Sequence, residues 1–439
     1  MSHNNCIRIA LDLKDKNILF DEKFCKEKRI KGFRSKVYYA TLTYQPSHCE
    51  CCGMKNHSYS IVKNGYLTSR VKWVSSTHYP TYIQLKKQRF LCRECGVTFV
   101  AQSPEIEQGC FIAKRVKQSI AIELADTTSL KDLSKRHFVS PTTAERVLKQ
   151  LNQSVKNNFK SLPQHLSFDE FKSVKNVEGK MSFIYSNADT HEPIDILPTR
   201  LLTALRKHFL RYPYKTRMTV KTIVVDMNAA YFTLVKDLFP NAKVIIDRFH
   251  IIQLLSRSLN QTRVQLMKRF NTSNSEDLKN YRKFKRYWQL LLKDSDDLNF
   301  KDYRYQRLFK KPLPNTEIVD YLLTLDETLK ATYDLYQNLL YYSKKNDYKG
   351  FKDLVLKASP KELSPFMQTA LKTLRKHLSR IKHTFMYPYS NGSLEGSINK
   401  IKVIKRVAYG YRNFQNFRCR ILISFKAKKN SVSQLPHAA

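Results

Sequence analysis

Glycine is scarce in this chain, 10 of 439 residues, which leaves little room for long flexible linkers. Acid is scarce as well. Asp and Glu number 37 against 78 Lys and Arg, a formal net charge of +41, and a protein with that much self-repulsion is expected to have a polyanionic partner. Nucleic acid is the first candidate. Long apolar runs are missing too: stretches such as Ile223 to Val225 or Ile421 to Ser424 fall far short of the ~18 residues of a bilayer span, so no membrane partner is expected. The amino terminus shows no basic region followed by a long apolar stretch, so no secretory signal is expected, and a cytoplasmic, reducing compartment is. There, nine cysteines point to metal or free thiols. What is present is 42% hydrophobic and 12% aromatic residues, enough to build cores, over a length that calls for roughly two to four units.

Four cysteines form two pairs of one spacing, Cys49 and Cys52 in HCECCG and Cys92 and Cys95 in FLCRECG, each pair ending on a glycine. A CxxC turn points two thiolates at one ion, and two such knuckles supply the four ligands of a tetrahedral zinc. Thr81 to Leu91, with Ile83 and Leu85 alternating against polar neighbours, reads as a strand of the zinc ribbon between them. Cys51, one residue from a ligand, could take its place, and His48 is a further candidate. Cys6, Cys25, Cys110 and Cys419 are dispersed and read as ordinary thiols.

Ile112, Val116, Ile120 and Leu124 recur every four residues and predict a helix. A shorter helix follows from Leu130. Ser140 and Pro141 then supply the cap and first-turn chemistry of another helix running through Leu151. Short helix, turn and second helix read as a helix-turn-helix whose Thr142, Thr143, Arg146 and Lys149 are available to a DNA major groove. The alternative is a plain helical linker.

From Pro163 the period changes to two. HLSFDEF, KMSFIYSNAD and Pro193 to Leu197 predict three strands in a meander. A helix over Leu201 to Leu210, a buried strand ending at Asp226, a helix over Ala229 to Phe239 and a strand before Asp247 complete a mixed α/β sheet. From His250 to about His383 the pattern is helical, with few strand signals. Ile318, Leu322, Leu325, Leu329, Tyr333, Tyr336 and Leu340 are expected on one face of a single long helix. A last helix and a dense basic-aromatic tail close the sequence.

In so cationic a chain, acids that end hydrophobic strands draw notice, because a buried carboxylate needs a partner or a cation. Asp169 lies in the first strand of the meander and Asp226 ends the fourth strand, and one sheet could bring them to one edge. Glu395 is the candidate third acid. It leads a polar stripe with Asn399, Lys402 and Arg406 on a helix whose other face carries Leu394, Ile398, Ile401, Ile404 and Ala408. Three carboxylates could cage two Mg2+ ions for phosphodiester chemistry, Mn2+ substituting because it accepts a wider range of ligands. The competing reading makes Asp169 and Asp226 turn or cap residues. Asp247 and His250 either line the site or cap the next helix. Lys400, Lys402, Lys405 and Arg406 are expected to hold DNA phosphates.

The order CxxCG, CxxCG, helix-turn-helix, FDEF, VVDM, DRFH and SNGSLEGSINKIKVIKRVAYGYRNFQNF resembles the ISL-three family of bacterial insertion-sequence transposases, over nearly the whole chain. The resemblance implies a DDE-type enzyme with a ribonuclease H-like core. In it, Asp169, Asp226 and Glu395 hold Mg2+, and Cys49, Cys52, Cys92 and Cys95 hold a structural Zn2+. Asp247 and His250 match the Asp or Cys before x-x-His that similar interrupted cores carry after the second catalytic aspartate, and with Asn399 they are expected to support the metal ligands. Whereas 57 residues separate the two aspartates, 169 separate Asp226 from Glu395, far beyond a ~30-residue strand-helix-strand unit. An all-helical insertion accounts for the excess.

The organisation expected is a zinc-finger domain over 1–110, a helix-turn-helix over 111–160, the first part of the core over 161–250, the insertion over 251–385, and the final helix and basic tail over 386–439. The function expected is binding of the terminal inverted repeats of an insertion sequence, cleavage there, and transfer of the freed strand to target DNA, with the protein oligomeric on double-stranded DNA. The alternatives are a sequence-specific DNA-binding regulator and a ribonuclease H-like nuclease without strand transfer.

Overall fold

The computed structural model describes residues 3–426. One compact unit holds the residues up to Asn157, Val174–Asn176 and those from Asn399 on; the other holds Asn158–Ser173 and Val177–Ile398.

In the first unit, a short helix α1 (His3–Ala10) precedes two strands, β1 (Ile18–Ile30) and β2 (Phe33–Leu42), which pair antiparallel. The turn is tight because Lys31 and Gly32 both take positive φ, 51° and 83°, as a two-residue hairpin requires. β3 (Ile61–Ser76) and β4 (Tyr79–Cys92) form a second hairpin, β2 joins β4 in parallel, and β5 (Thr98–Val100) pairs with the end of β4. The expected strand at Thr81 to Leu91 lies within β4. Alternation buries Ile83 and Leu85 on one face. There they join Val71, Trp73 and the apolar stripe Val116, Ile120 and Leu124.

That stripe belongs to α2 (Lys114–Glu123) and its cap. α3 (Leu130–His137) starts at Ser129, whose hydroxyl accepts from the Asp132 N–H, and α4 (Pro141–Ser154) starts at Ser140, whose hydroxyl accepts from the Thr143 N–H at 3.2 Å. Such caps satisfy backbone donors that the helix leaves free. Phe138, at φ 51°, turns the chain between them. Val147, Leu148 and Leu151 are buried.

The second unit is built on a five-stranded sheet. β6 (His165–Lys172), β7 (Met181–Asn187) and β8 (Pro193–Leu197) form the antiparallel meander; β9 (Thr222–Val225) and β10 (Lys243–Ile246) add in parallel beside β6, giving the order β10-β9-β6-β7-β8. Continuous β-branched runs at Thr222–Val225 and Val244–Ile246, all buried, suit strands covered on both faces. α5 (Leu202–Phe209), α6 (Tyr214–Met218) and α7 (Ala229–Leu238) follow on, and Leu205, Phe209, Leu234 and Val235 of α5 and α7 cover one of those faces, packing on Phe168, Phe183, Ile223 and Val225.

From α8 (Arg248–Arg269) onward the unit is mainly helical: α9 (Ser275–Arg286), α10 (Trp288–Leu292), α11 (Asn315–Leu323), α12 (Glu327–Lys344), α13 (Tyr348–Lys357) and α14 (Pro365–Met386). Two expectations are corrected here. The single long helix from Ile318 to Leu340 is two, because the Asp326 carboxylate captures the Leu329 N–H at 2.7 Å and starts α12 afresh. A small hairpin, β11 (Arg304–Gln306) with β12 (Lys311–Leu313), interrupts the helices where few strand signals were expected. α14 covers the outer strand of the sheet: Thr384 Oγ1 donates to the Ile246 carbonyl at 2.7 Å, and His383 Nδ1 lies 2.8 Å from the Val244 carbonyl oxygen. This protects an edge that would otherwise offer unpaired backbone. α15 (Gly392–Val407) and α16 (Phe414–Lys426) end the described chain.

Candidate active site and metal centre

The zinc knuckles are two copies of one turn. In the first, the Gly53 N–H returns to the Cys49 carbonyl at 3.0 Å; in the second, the Gly96 N–H returns to the Cys92 carbonyl at 3.0 Å. Both glycines take positive φ, 72° and 71°, a region that side chains disfavour. Cys49 and Cys95 Sγ lie 3.8 Å apart, as do Cys52 and Cys92 Sγ, and all four sulfurs fall within 4.8 Å of one another. A tetrahedron with Zn–S near 2.3 Å has edges of about 3.8 Å, so the donor set fits zinc. The backbone N–H groups of Cys52 and Cys51 pull the Cys49 thiol down to about 7, toward the thiolate that ligation needs. Cys51 is therefore a backbone donor to Cys49 Sγ, at 3.4 Å, and Cys52 is the member of the four-sulfur group. His48 lies outside that group, its Nδ1 beside Ser47 Oγ at 2.9 Å.

On the three parallel strands of the second unit's sheet, one acid lies within β6 (Asp169) and one directly follows each of β9 (Asp226) and β10 (Asp247). β6 and β9 are in register through Ser167 and Val224, and β9 and β10 through Val225 and Ile246. Carried forward, that register puts Asp169 level with Asp226 and Asp226 level with Asp247. Because side chains alternate along a strand, all three leave the same face. Asp169 is partly buried, and burial, reinforced by the nearby Asp226 charge, raises its carboxyl to about 7 against the opposing Glu170 N–H. Burial raises Asp247 as well.

His250, on the first turn of α8, points back at this cluster with Nε2 2.7 Å from Asp226 Oδ1. That oxygen is buried, and the imidazole is the group facing it. The Asp226 carboxylate raises the His250 pKa against the effect of burial. Two partly buried carboxylates on adjacent strands, beside one imidazole, are hard oxygen donors of the kind that divalent cations take.

Glu395 is exposed on α15, its N–H bonded to the Asn391 carbonyl at 2.9 Å. Asp169, Asp226 and Glu395 do not bring ligand atoms together as the cysteines do: among the described residues, only the four cysteines gather three or more within 4.8 Å. What links α15 to the acids is Asn391, which the sequence reading passed over within SNGSLEG. It is 3% exposed, its Nδ2 donates to the Phe168 carbonyl at 3.0 Å, and its N–H donates to Asp247 Oδ1 at 3.4 Å. Glu170 also went unnoticed. It accepts from Arg200 at 2.6 Å and from the Tyr231 hydroxyl.

Of the expected DNA contacts, Thr142, Arg146 and Lys149 are exposed on α4, with Lys149 paired to Glu145 at 2.9 Å; Thr143 spends its hydroxyl on Ser140 at the cap, 3.0 Å away. Lys402 and Arg406 are exposed, and Lys402 donates to the exposed Asn399. Lys400 donates to the Ser424 carbonyl, and its ammonium lies 4.4 Å from the Phe425 ring centroid. Lys405 is half-buried. Arg420, further along the basic tail, is 1% exposed and structural: its guanidinium donates to the carbonyls of Leu124, Asp126 and Thr128.

A meander feeding two parallel strands, acids level on adjacent strands, and a four-cysteine zinc site together define a zinc-ribbon protein with a ribonuclease H-like core. The chain belongs to the ISL3 (ISL-three) family of transposases: the family's model, described as transposase, matches residues 166–421. A second, described as zinc-finger of transposase IS204/IS1001/IS1096/IS1165, matches residues 45–95. The chain is 23% identical over 410 residues to the transposase for insertion sequence element IS1001 of Bordetella parapertussis, covering 89% of this chain and 92% of that one. It is 42% identical over 125 residues to a Lactococcus lactis subsp. lactis protein named ATP-dependent protease, a match that spans 28% of this chain and 40% of that relative's length. No helix among the described residues is long and apolar enough to cross a membrane.

Proposed function

We propose that the chain is a DNA transposase that binds the terminal inverted repeats of an insertion sequence, cuts strands there and joins them to target DNA. The observation that carries this reading is the level placement of Asp169 and Asp226 on adjacent parallel strands, with His250 Nε2 2.7 Å from Asp226. Both carboxylates are hard oxygen donors and both are partly buried, a set that fits Mg2+. Bound at Asp169, Asp226 and Glu395, Mg2+ would supply the charge that activates a hydroxyl nucleophile and stabilises the leaving oxygen of an in-line displacement.

The chain's own part is positional. Parallel pairing fixes the two aspartates to one edge, His250 balances the charge of Asp226, and Asn391 ties the turn before Glu395 to the carbonyl that precedes Asp169. Glu170 is held away by Arg200 and Tyr231, so it does not compete. α3, the turn at Phe138 and α4 act as a helix-turn-helix, with Thr142, Arg146 and Lys149 turned to the major groove. Lys402 and Arg406 hold phosphates, and so do Lys400 and Lys405 where their internal contacts allow. The division into finger, helix-turn-helix, core, insertion and tail follows from the same reading. Gel shift and strand transfer on labelled element ends test it: binding with metal-dependent joining is expected. Binding alone would favour a regulator, and cutting without joining a nuclease.

A further inference from the structure

The helical insertion holds a cavity of about 400 Å³ that the proposed chemistry does not use. Lys283 sits in its wall, 6% exposed. Its ammonium donates to the Tyr321 hydroxyl at 2.7 Å and approaches Asn280 Oδ1 at 3.4 Å, and it lies 4.0 Å and 4.7 Å from the ring centroids of Tyr321 and Phe309. All of these partners are neutral. Among the described residues, no carboxylate lies within 4.0 Å of this ammonium. A buried charge needs compensation, and ring faces and a hydroxyl supply only part of it.

The rest of the wall deepens the excess. Lys279, Lys310 and Lys311 also line the cavity, against one acid, Glu317, whose carboxylate accepts from the Tyr303 hydroxyl at 3.1 Å. Lys279 is paired outward with Glu276. Lys310 and Lys311 stand exposed at the tip of the β11–β12 hairpin. The chain entering that hairpin carries three exposed rings, Phe300, Tyr303 and Tyr305 at 63%, 61% and 69%, interleaved with Lys301, Arg304 and Arg307. Lys301 Nζ stands 5.3 Å from the Phe300 ring centroid, and exposed rings interleaved with cations are the chemistry that binds unpaired nucleic acid, since bases stack on the rings while the cations follow the backbone. A duplex, with its bases already stacked, would leave those rings unused.

We propose that the β11–β12 hairpin and the Lys283 cavity form a separate site for an unpaired DNA strand, with a backbone phosphate at Lys283, Lys310 and Lys311 and bases on the exposed rings. This rests on the reading that the chain works on DNA. The test is fluorescence anisotropy of the full chain with a labelled oligothymidine of about 12 nucleotides, within the site sizes such surfaces take. Lys283→Met, the tip pair Lys310→Ala with Lys311→Ala, and the ring pair Tyr303→Ala with Tyr305→Ala should each weaken that binding by roughly tenfold, and the tip pair should also flatten its salt dependence. Binding of duplex element ends should change by less than about twofold.

Wild-type single-strand affinity in both the tip and ring pairs overturns the proposal, as does an equal loss on duplex. Those pairs are exposed, so their result does not hang on whether Lys283→Met folds. A wild-type chain that binds neither DNA would remove the transposase reading as well.

Discussion

Asn391 donates its side-chain amide to the Phe168 carbonyl at 3.0 Å, joining the residue before Asp169 to the turn that opens α15. The same residue's N–H meets Asp247, its carbonyl accepts from the Glu395 N–H, and its own Oδ1 is buried without a partner. One residue thus ties the start of the helix that carries Glu395 to β6 and to Asp247.

Asn391→Ala should therefore affect chemistry more than folding. Losing one amide donor and stranding a carbonyl costs about 1–3 kcal/mol, whereas a ~1 Å displacement of a catalytic group lowers rate by ~100-fold. The expected outcome is strand cleavage down ~100-fold with duplex binding unchanged. Melting temperature and cleavage falling together only in proportion would make Asn391 merely structural.

Arg420 predicts a stability effect in the other unit. Burial lowers its pKa, but a guanidinium remains charged at neutral pH, and three carbonyls at the end of α2 and in the connection to α3 depend on it. Arg420→Met keeps much of the packing and strands those acceptors, for a loss of about 3 kcal/mol or more. Thermal unfolding of that unit should move down by ~10 °C.

The zinc site predicts that Cys92→Ser with Cys95→Ser releases the ion and unfolds the ribbon, since half the donor set is gone. Cys51→Ser should leave metal content near wild type, because its side chain is outside the four-sulfur group. Metal analysis of the purified proteins checks both. Zinc retained by the double variant would move the ligands elsewhere.

Much of the architecture was legible because local chemistry and tertiary role coincide. The CxxCG spacing gives the zinc knuckles, the Ser140-Pro141 cap gives α4, and period-two apolar residues give the meander β6–β8. β1 was not legible: its segment ILFDEKFCKEKRI is mostly exposed and charge-rich, with burial concentrated at Ile18 and Phe20. The break at Thr324–Asp326 was hidden because apolar spacing runs through it, Leu322, Leu325 and Leu329, while the cap that starts α12 is a single carboxylate. In the candidate site, Asp169, Asp226, Asp247 and His250 stood out as acids and a histidine on or soon after hydrophobic strands. Asn391 and Arg420 did not, because their partners lie 223 and 296 residues away, and nothing local in SNGSLEG or FRCRIL signals such contacts.

The central claim is that the level aspartates of β6 and β9 are the chemistry of a transposase. It is tested most directly by strand transfer and gel shift on one set of preparations: wild type, Asp169→Asn, Asp226→Asn, Glu395→Gln, and Glu192→Gln as control. Each of the first three substitutions keeps shape and removes the charge that would hold Mg2+, so cleavage and joining should be lost while end binding stays within about twofold. The control should transfer strands like wild type. Robust strand transfer by Asp169→Asn or Asp226→Asn would contradict the account.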